Sequence, residues 1–251
     1  MLSERNLREA LERVGVSAPV RFDEVTGSTN ATALELAESG APEWTLVAAA
    51  HQTAGRGRMG RTWVDEPGRA LLFSLVLRPE LPPDRAGLLS LLAGAAMAGA
   101  CRQVARADAG CKWPNDILVG GRKAGGILAE ARLVGDRIEH VVLGVGVNLG
   151  DGPPEVPDAT GVGEADPAAL LGSFLHWFRG RYHPAHPAFS RAVLAAHRDV
   201  SVTIGRSIRA TTVEGRVVEG LAVDLDEGGG LVVEAEGRRE TVAFGEVEHL
   251  R

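Results

Sequence analysis

HQTAGRGRMGRTW, residues 51–63, followed by ALLFSLVLR, residues 70–78, is the stretch whose reading decides the fold. Gly55, Gly57 and Gly60 match the spacing GxGxxG. In a dinucleotide-binding unit that spacing opens a helix, and an acidic residue about 20 positions on takes the ribose hydroxyls. Gly55 to Thr62 also imitates a phosphate-binding loop, but Arg61 stands where that loop needs lysine. That loop, too, must feed a helix. Here the loop leads instead into a turn and then an unbroken apolar run, which reads as a strand covered on both faces. The strand excludes both nucleotide motifs.

Outward from the loop, the pattern alternates irregularly between strands and helices. Residues 3–14 read as an amphipathic helix capped near Ser3, and VRFDEV (20–25) as a short strand. Gly27-Ser28-Thr29-Asn30 is a turn rich in cap-forming residues, followed by a helix that stops at Gly40. WTLVAAA (44–50) is a buried strand, and Pro82 to about Arg106 a long helix. Residues 117–132 read as two strands around a turn, and HVVLGVGVNLG (140–150) as a further strand. Four prolines in residues 150–167 mark a surface loop, and helices resume over 167–182 and 187–198. Beyond residue 198 the pattern becomes five short β segments: VSVTIG, SIRATTVEG, RVVEGLAVDLD, GLVVEAEG and RETVAFGEVEHL. Turn signals every eight to twelve residues predict a small barrel. The expected organisation is an α+β unit over 1–198, a mixed β-sheet packed with helices, and a β-barrel unit over 199–251.

The bulk composition is that of a soluble globular chain: 251 residues, 45% hydrophobic, 24% charged, net charge −6. An acidic balance argues against a duplex-DNA binder, which carries a basic face. Cys101 and Cys111 form no CxxC pair and read as reduced thiols, which together with a charged N-terminus points to the cytoplasm. The most apolar segment, Gly87 to Cys101, falls short of the roughly 20 residues that span a bilayer and reads as a buried helix.

Against this acidic background Arg56, Arg58 and Arg61 cluster within six positions. Two guanidinium groups about 4 Å apart repel by roughly 4 kcal/mol at an effective dielectric of about 20. The loop is therefore expected to be mobile until a polyanion converts repulsion into charge-assisted hydrogen bonds.

This loop, together with Gly27-Ser28-Thr29-Asn30, Lys112-Trp113-Pro114-Asn115-Asp116, Lys123-Ala124-Gly125-Gly126-Ile127-Leu128 and Gly144-Val145-Gly146-Val147-Asn148, resembles the biotin protein ligases. The five motifs occur in the family's order over roughly residues 20–150, and the C-terminal segment resembles an SH3-like barrel. The resemblance implies a ligase that converts biotin and ATP into biotinyl-5′-AMP and passes the biotinyl group to a lysine of a biotin carboxyl carrier protein. It implies biotin contacts from Ser28, Thr29, Asn30, Gln52, Gly55, Arg56, Gly57, Arg58, Lys123, Gly126 and Gly144. It implies nucleotide contacts from Arg58, Arg61, Trp63, Lys112, Asn115, Lys123 and Asn148, with Arg56, Arg58 and Lys123 stabilising the developing charge. Asp116 is the candidate ligand for Mg²⁺ arriving with ATP.

Plainer readings compete at each position. Ser28 or Thr29 can cap the following helix, Asn115 and Asn148 can be turn residues, Lys123 can be solvated and Trp63 can belong to the core. Two other functions also compete: a lipoate or octanoate ligase of the same architecture, and a non-catalytic biotin-sensing regulator. The first motif begins at Gly27, too early for the N-terminal winged-helix domain of some relatives, so sequence-specific DNA binding is not expected. Oligomeric state is left open, a homodimer included.

Overall fold

The computed structural model describes residues 2–250. Seven strands form the main sheet: β1 (Val20–Asp23), β2 (Leu46–Ala49), β3 (Ala70–Leu77), β4 (Ala109–Lys112), β5 (Asp116–Val119), β6 (Arg122–Val134) and β7 (Arg137–Asn148). Their order is β1-β2-β3-β7-β6-β5-β4. Only β1 and β2 run parallel, so the sheet is mixed, as expected.

The helices cover both faces, which is why every residue of β3 is buried. Helix α2 (Thr29–Glu38) lays Ala33 and Ala37 on Val47, Val76 and Val142. The opposite face meets α3 (Gly87–Ala100) and α4 (Pro167–Arg179), with α5 (Phe189–Arg198) against α3 and α1 (Glu4–Glu12) against α4. Ser3 caps α1 in a capping box with Asn6. Phe73, Phe174, Phe178 and Tyr182 form a chain of ring contacts between β3 and α4, at centroid distances of 5.0 to 5.4 Å.

The apolar segment is a core helix. Residues Pro83–Ala105 are long and apolar enough to cross a membrane by length and composition, yet 67% of their most apolar 18 residues are buried inside the fold. The single long helix expected here is three pieces: a 3₁₀ turn (Pro83–Arg85), α3, and a π turn (Cys101–Ala105) ended by Arg106 in the left-handed region. The Cys101 and Cys111 thiols are free and buried.

The C-terminal strands β8 (Ser207–Thr212), β9 (Val217–Leu225), β10 (Leu231–Ala235), β11 (Arg238–Val242) and β12 (Gly245–His249) form a second, antiparallel sheet in the order β11-β10-β9-β8-β12. VSVTIG contributes no strand to it, although Gly205 N at its end donates to Ala222 O of β9 at 2.7 Å. Val200 O accepts from Cys111 N at 2.7 Å and Val202 N donates to Cys111 O at 2.9 Å, so this segment pairs with β4 instead. The sequence pattern does not announce β4. Its Gly110 leaves room for the crossing chain: a Cβ there would lie 2.4 Å from Val202 Cγ1. Thr203 Oγ1 then accepts from Trp113 N at 3.0 Å, and Trp113 Nε1 donates to Gly229 O at 2.9 Å, tying the second sheet to the 112–116 segment.

His197 at the end of α5 is fully enclosed, and burial pushes its imidazole down to about 4 from 6.5. The folded chain refuses a proton that the unfolded chain accepts. This group's contribution is therefore complete above pH 6.5 and is lost as pH falls toward 4, at up to about 1.4 kcal/mol per pH unit. Denaturant titrations at pH 7 and pH 5 should show a smaller loss of stability for His197→Leu than for the native chain, by about 2 kcal/mol. Equal losses would contradict the assignment.

Candidate functional site

The α2 face of the main sheet continues past the helix into a cavity of about 280 Å³. Its floor is made by glycine. Gly144 and Gly146 alternate along β7 and so share a face, and Gly126 lies directly opposite Gly146 on β6. A Cβ at Gly144 would lie 2.0 Å from Asn30 Oδ1, and one at Gly146 would lie 2.9 Å from the Trp63 ring. The missing side chains are the space that Asn30 and Trp63 fill.

At one end the α2 N-terminus supplies neutral polar groups. Ser28 stands at the N-cap position, but its side chain makes no capping hydrogen bond. Thr29 does not cap either. Its backbone N–H and its hydroxyl both donate to Gln52 Oε1, at 2.8 and 3.1 Å. Ser74 Oγ donates to Asn30 Oδ1 at 2.6 Å and also reaches Thr29 Oγ1 at 2.8 Å, while Asn30 Nδ2 donates to Glu130 Oε2 at 2.8 Å. This network consumes Thr29 and Asn30 and leaves the buried Ser28 hydroxyl on the cavity wall without a partner among the described residues.

The other end is cationic. The sequence reading set the three loop arginines against one another; Arg61 does act on Arg58, but the structure separates their acceptors. Each is drawn to a different acceptor. Arg56 pairs with Glu130 at 2.6 Å, and Arg61 pairs with Glu246 of β12. Arg58 donates to Asn115 Oδ1 at 3.1 Å and to Gly245 O at 3.4 Å. The fan is set by Met59 and Gly60, both at positive φ, 54° and 73°. Burial pulls the Arg58 pKa below its ordinary value, while Glu246 and Asp116 pull it back up and Arg61 lowers it further. Lys123 Nζ meets Asp116 Oδ1 at 2.6 Å, and Asn115 is fixed by exchanging hydrogen bonds with Ile127. Among the described residues the Lys112 side chain has no ion pair.

The structure gathers Ser28, Thr29, Asn30, Gln52, Arg56, Gly57, Arg58, Arg61, Trp63, Lys112, Asn115, Asp116, Lys123, Gly126 and Gly144 around this one cavity. Gly55 stands just behind it, where a Cβ would meet Trp63 O at 2.6 Å. Asn148 is not brought to the wall; its Nδ2 donates to Thr160 O at 3.0 Å, in the buried turn that ends β7. Ser74, Glu130 and Glu246 escaped the sequence reading. Ser74 and Glu130 could have been noticed as polar residues inside apolar strands, but nothing in sequence connects Glu246 to a loop 185 residues away.

A model of the biotin/lipoate A/B protein ligase family matches residues 22–148, and one of the biotin protein ligase C-terminal domain matches residues 203–250. The biotin–[acetyl-CoA-carboxylase] ligase of Mycobacterium tuberculosis is 39% identical, over 100% of this chain and 96% of its own. The bifunctional ligase/repressor BirA of Bacillus subtilis is 35% identical, over 93% of this chain and 74% of its own. Among solved structures, the biotin protein ligase from Aquifex aeolicus in complex with biotin and ATP shares the fold at TM-score 0.73 and 23% identity, covering 93% of this chain and 99% of that one. The chain belongs to the biotin/lipoate A/B protein ligase family.

Gly144→Ala should push Asn30 away from Ser74 and lower stability by about 1–3 kcal/mol. Adding Asn30→Ala should return part of that loss, because the clash goes with the amide. A double-mutant cycle by chemical denaturation that came out additive would contradict this packing.

Proposed function

We propose that this chain is an ATP-dependent biotin ligase, which activates biotin as biotinyl-5′-AMP and transfers the biotinyl group to a lysine of a biotin carboxyl carrier domain. The observation that carries the reading is a single cavity with a neutral hydrogen-bonding end and a cationic end. The full-length similarity to a biotin–[acetyl-CoA-carboxylase] ligase supports the same conclusion.

The ureido group of biotin is a neutral donor–acceptor pair, and the unpartnered Ser28 hydroxyl, with Thr29, Asn30 and Gln52 locked around it, suits such a group in a dry pocket. The biotin carboxylate then points toward Lys123. One carboxylate oxygen attacks the α-phosphorus of ATP, the new C–O–P bond forms, and the bond to the β-phosphate oxygen breaks to release pyrophosphate. Lys123, Arg58 and Arg56 offset the negative charge that builds on phosphorus. Lys123 must first exchange Asp116 for the substrate. Trp63 covers the junction and brings a buried indole N–H that has no acceptor among the described residues. In the second step the acceptor lysine, as free amine, attacks the acyl carbon of the anhydride. AMP departs with the bonding pair, and the nitrogen loses its proton to leave an amide.

Magnesium belongs to the proposal in a limited way. Among the described residues no three His, Cys, Asp or Glu side chains gather to cage a cation. Asp116 is one carboxylate, and Mg²⁺ binds through one or two carboxylates plus substrate phosphates. The residues fit an ion that arrives with ATP and neutralises its phosphates. Asn148, off the cavity wall, is proposed only to brace the turn behind the nucleotide end. The unit boundary near residue 198 is likewise proposed, since the 200–205 segment is the strap between β4 and the second sheet.

Pyrophosphate release on adding biotin and ATP tests the reading directly. Release with lipoate but none with biotin would move the chain to the lipoate branch, and tight biotin binding with no release would make it a sensor. Arg58→Ala should retain much of the biotin affinity but release the adenylate about tenfold faster or more, since a charged hydrogen-bond donor is lost. Equal adenylate retention in filter-binding decays would remove Arg58 from this role.

A further inference from the structure

We propose that Glu246, carried by the C-terminal sheet, is a counter-anion that competes with the nucleotide for Arg61 and so sets the chain's affinity for ATP. The inference rests on the ligase reading for what the nucleotide does, but not for whether it binds.

Three of the cavity's cations hold a protein carboxylate: Arg56 holds Glu130, Lys123 holds Asp116 and Arg61 holds Glu246. Glu246 differs from the other two in its partners, since it alone of the three pairs with Arg61, although Asp116 also acts on Arg58. Glu130 also accepts from Asn30, so it is needed by the neutral end of the cavity. Asp116 faces the catalytic lysine. Glu246 serves neither purpose. It lies on the cavity wall, pairs with Arg61, and is the foremost charge acting to keep Arg58 protonated. One carboxylate thus pairs with Arg61 and acts through its charge on Arg58, which donates to the carbonyl of the neighbouring Gly245.

The pair is part-exposed, at 64% for Arg61 and 33% for Glu246, so it adds little to stability. Its weight falls on binding. A triphosphate that enters the cationic end meets a fixed negative charge and must take Arg61 from it. Glu246 is therefore a positioning residue: it acts on the nucleotide through Arg61 and Arg58, and it makes the C-terminal sheet part of the nucleotide site.

The test is equilibrium binding of ATP with magnesium to the full chain, without biotin, so that no turnover is needed. Glu246→Gln should bind ATP about threefold to tenfold more tightly than the native chain at low salt. The gain should shrink in concentrated salt, as expected for a charge term in a part-exposed site. Glu246→Asp, which keeps the charge, should stay near the native affinity, and the biotin Kd should not move in either variant. Weaker or unchanged ATP binding by Glu246→Gln would overturn the proposal, as would an equal gain in Glu246→Asp. A native chain that binds ATP with this pattern yet releases no pyrophosphate with biotin would leave the proposal standing and sink the ligase reading instead.

Discussion

The glycine face of β6 and β7 is the constraint on which the site depends. A sheet normally presents side chains on every other residue, and a cavity laid against it would be filled by them. Gly126, Gly144 and Gly146 leave that face bare over two adjacent strands. Asn30 therefore descends close enough to meet Ser74, Leu128 and Glu130, and Trp63 comes down onto Gly146. Through Asn30 the start of α2 is locked; through Trp63 the far end of the arginine loop is locked. The same strands continue into ordinary core a few residues on, where Val142 packs under α2. Fold and site are two stretches of one surface, separated only by where the side chains stop.

Much of this was legible in sequence. Periodicity and turn residues give the main strands and helices, and the apolar run after the loop rules out the two nucleotide motifs that its glycines imitate. The failures share a cause. VSVTIG alternates like a strand, but its hydrogen bonds go to β4 across the fold, and β4 is itself too short and glycine-broken to announce itself. The end of the long helix is set by a π turn, which no period reports. Each depends on a partner distant in the chain.

The same limit explains the loop. Arg56, Arg58 and Arg61, read alone, repel one another, and mobility is the relief that reading suggests. In the fold Glu130 and Glu246, 74 and 185 residues away in sequence yet within reach in space, offset part of that repulsion. Ser28 fails in the opposite direction. Locally it reads as a helix cap, but its side chain makes no capping hydrogen bond, and Gln52 takes the Thr29 N–H instead.

A cavity with two unlike ends also answers a physical difficulty. A neutral urea-like group is held well only in a dry, low-dielectric pocket, where unpaired polar groups are costly. A triphosphate needs several cations, and those cations strongly resist burial in such a pocket. The fold keeps the demands apart. The neutral end is closed by side chains that hydrogen-bond to one another and carry no charge, apart from Glu130, which Arg56 neutralises. The cationic end opens between two sheets, where Arg61 stays largely exposed and each loop arginine finds a protein acceptor. Glu130 is the one group common to both, since it accepts from Asn30 on one side and Arg56 on the other. In the proposed reaction, a loop movement that took Arg56 toward a phosphate would remove one of the two donors on Glu130, the other being Asn30.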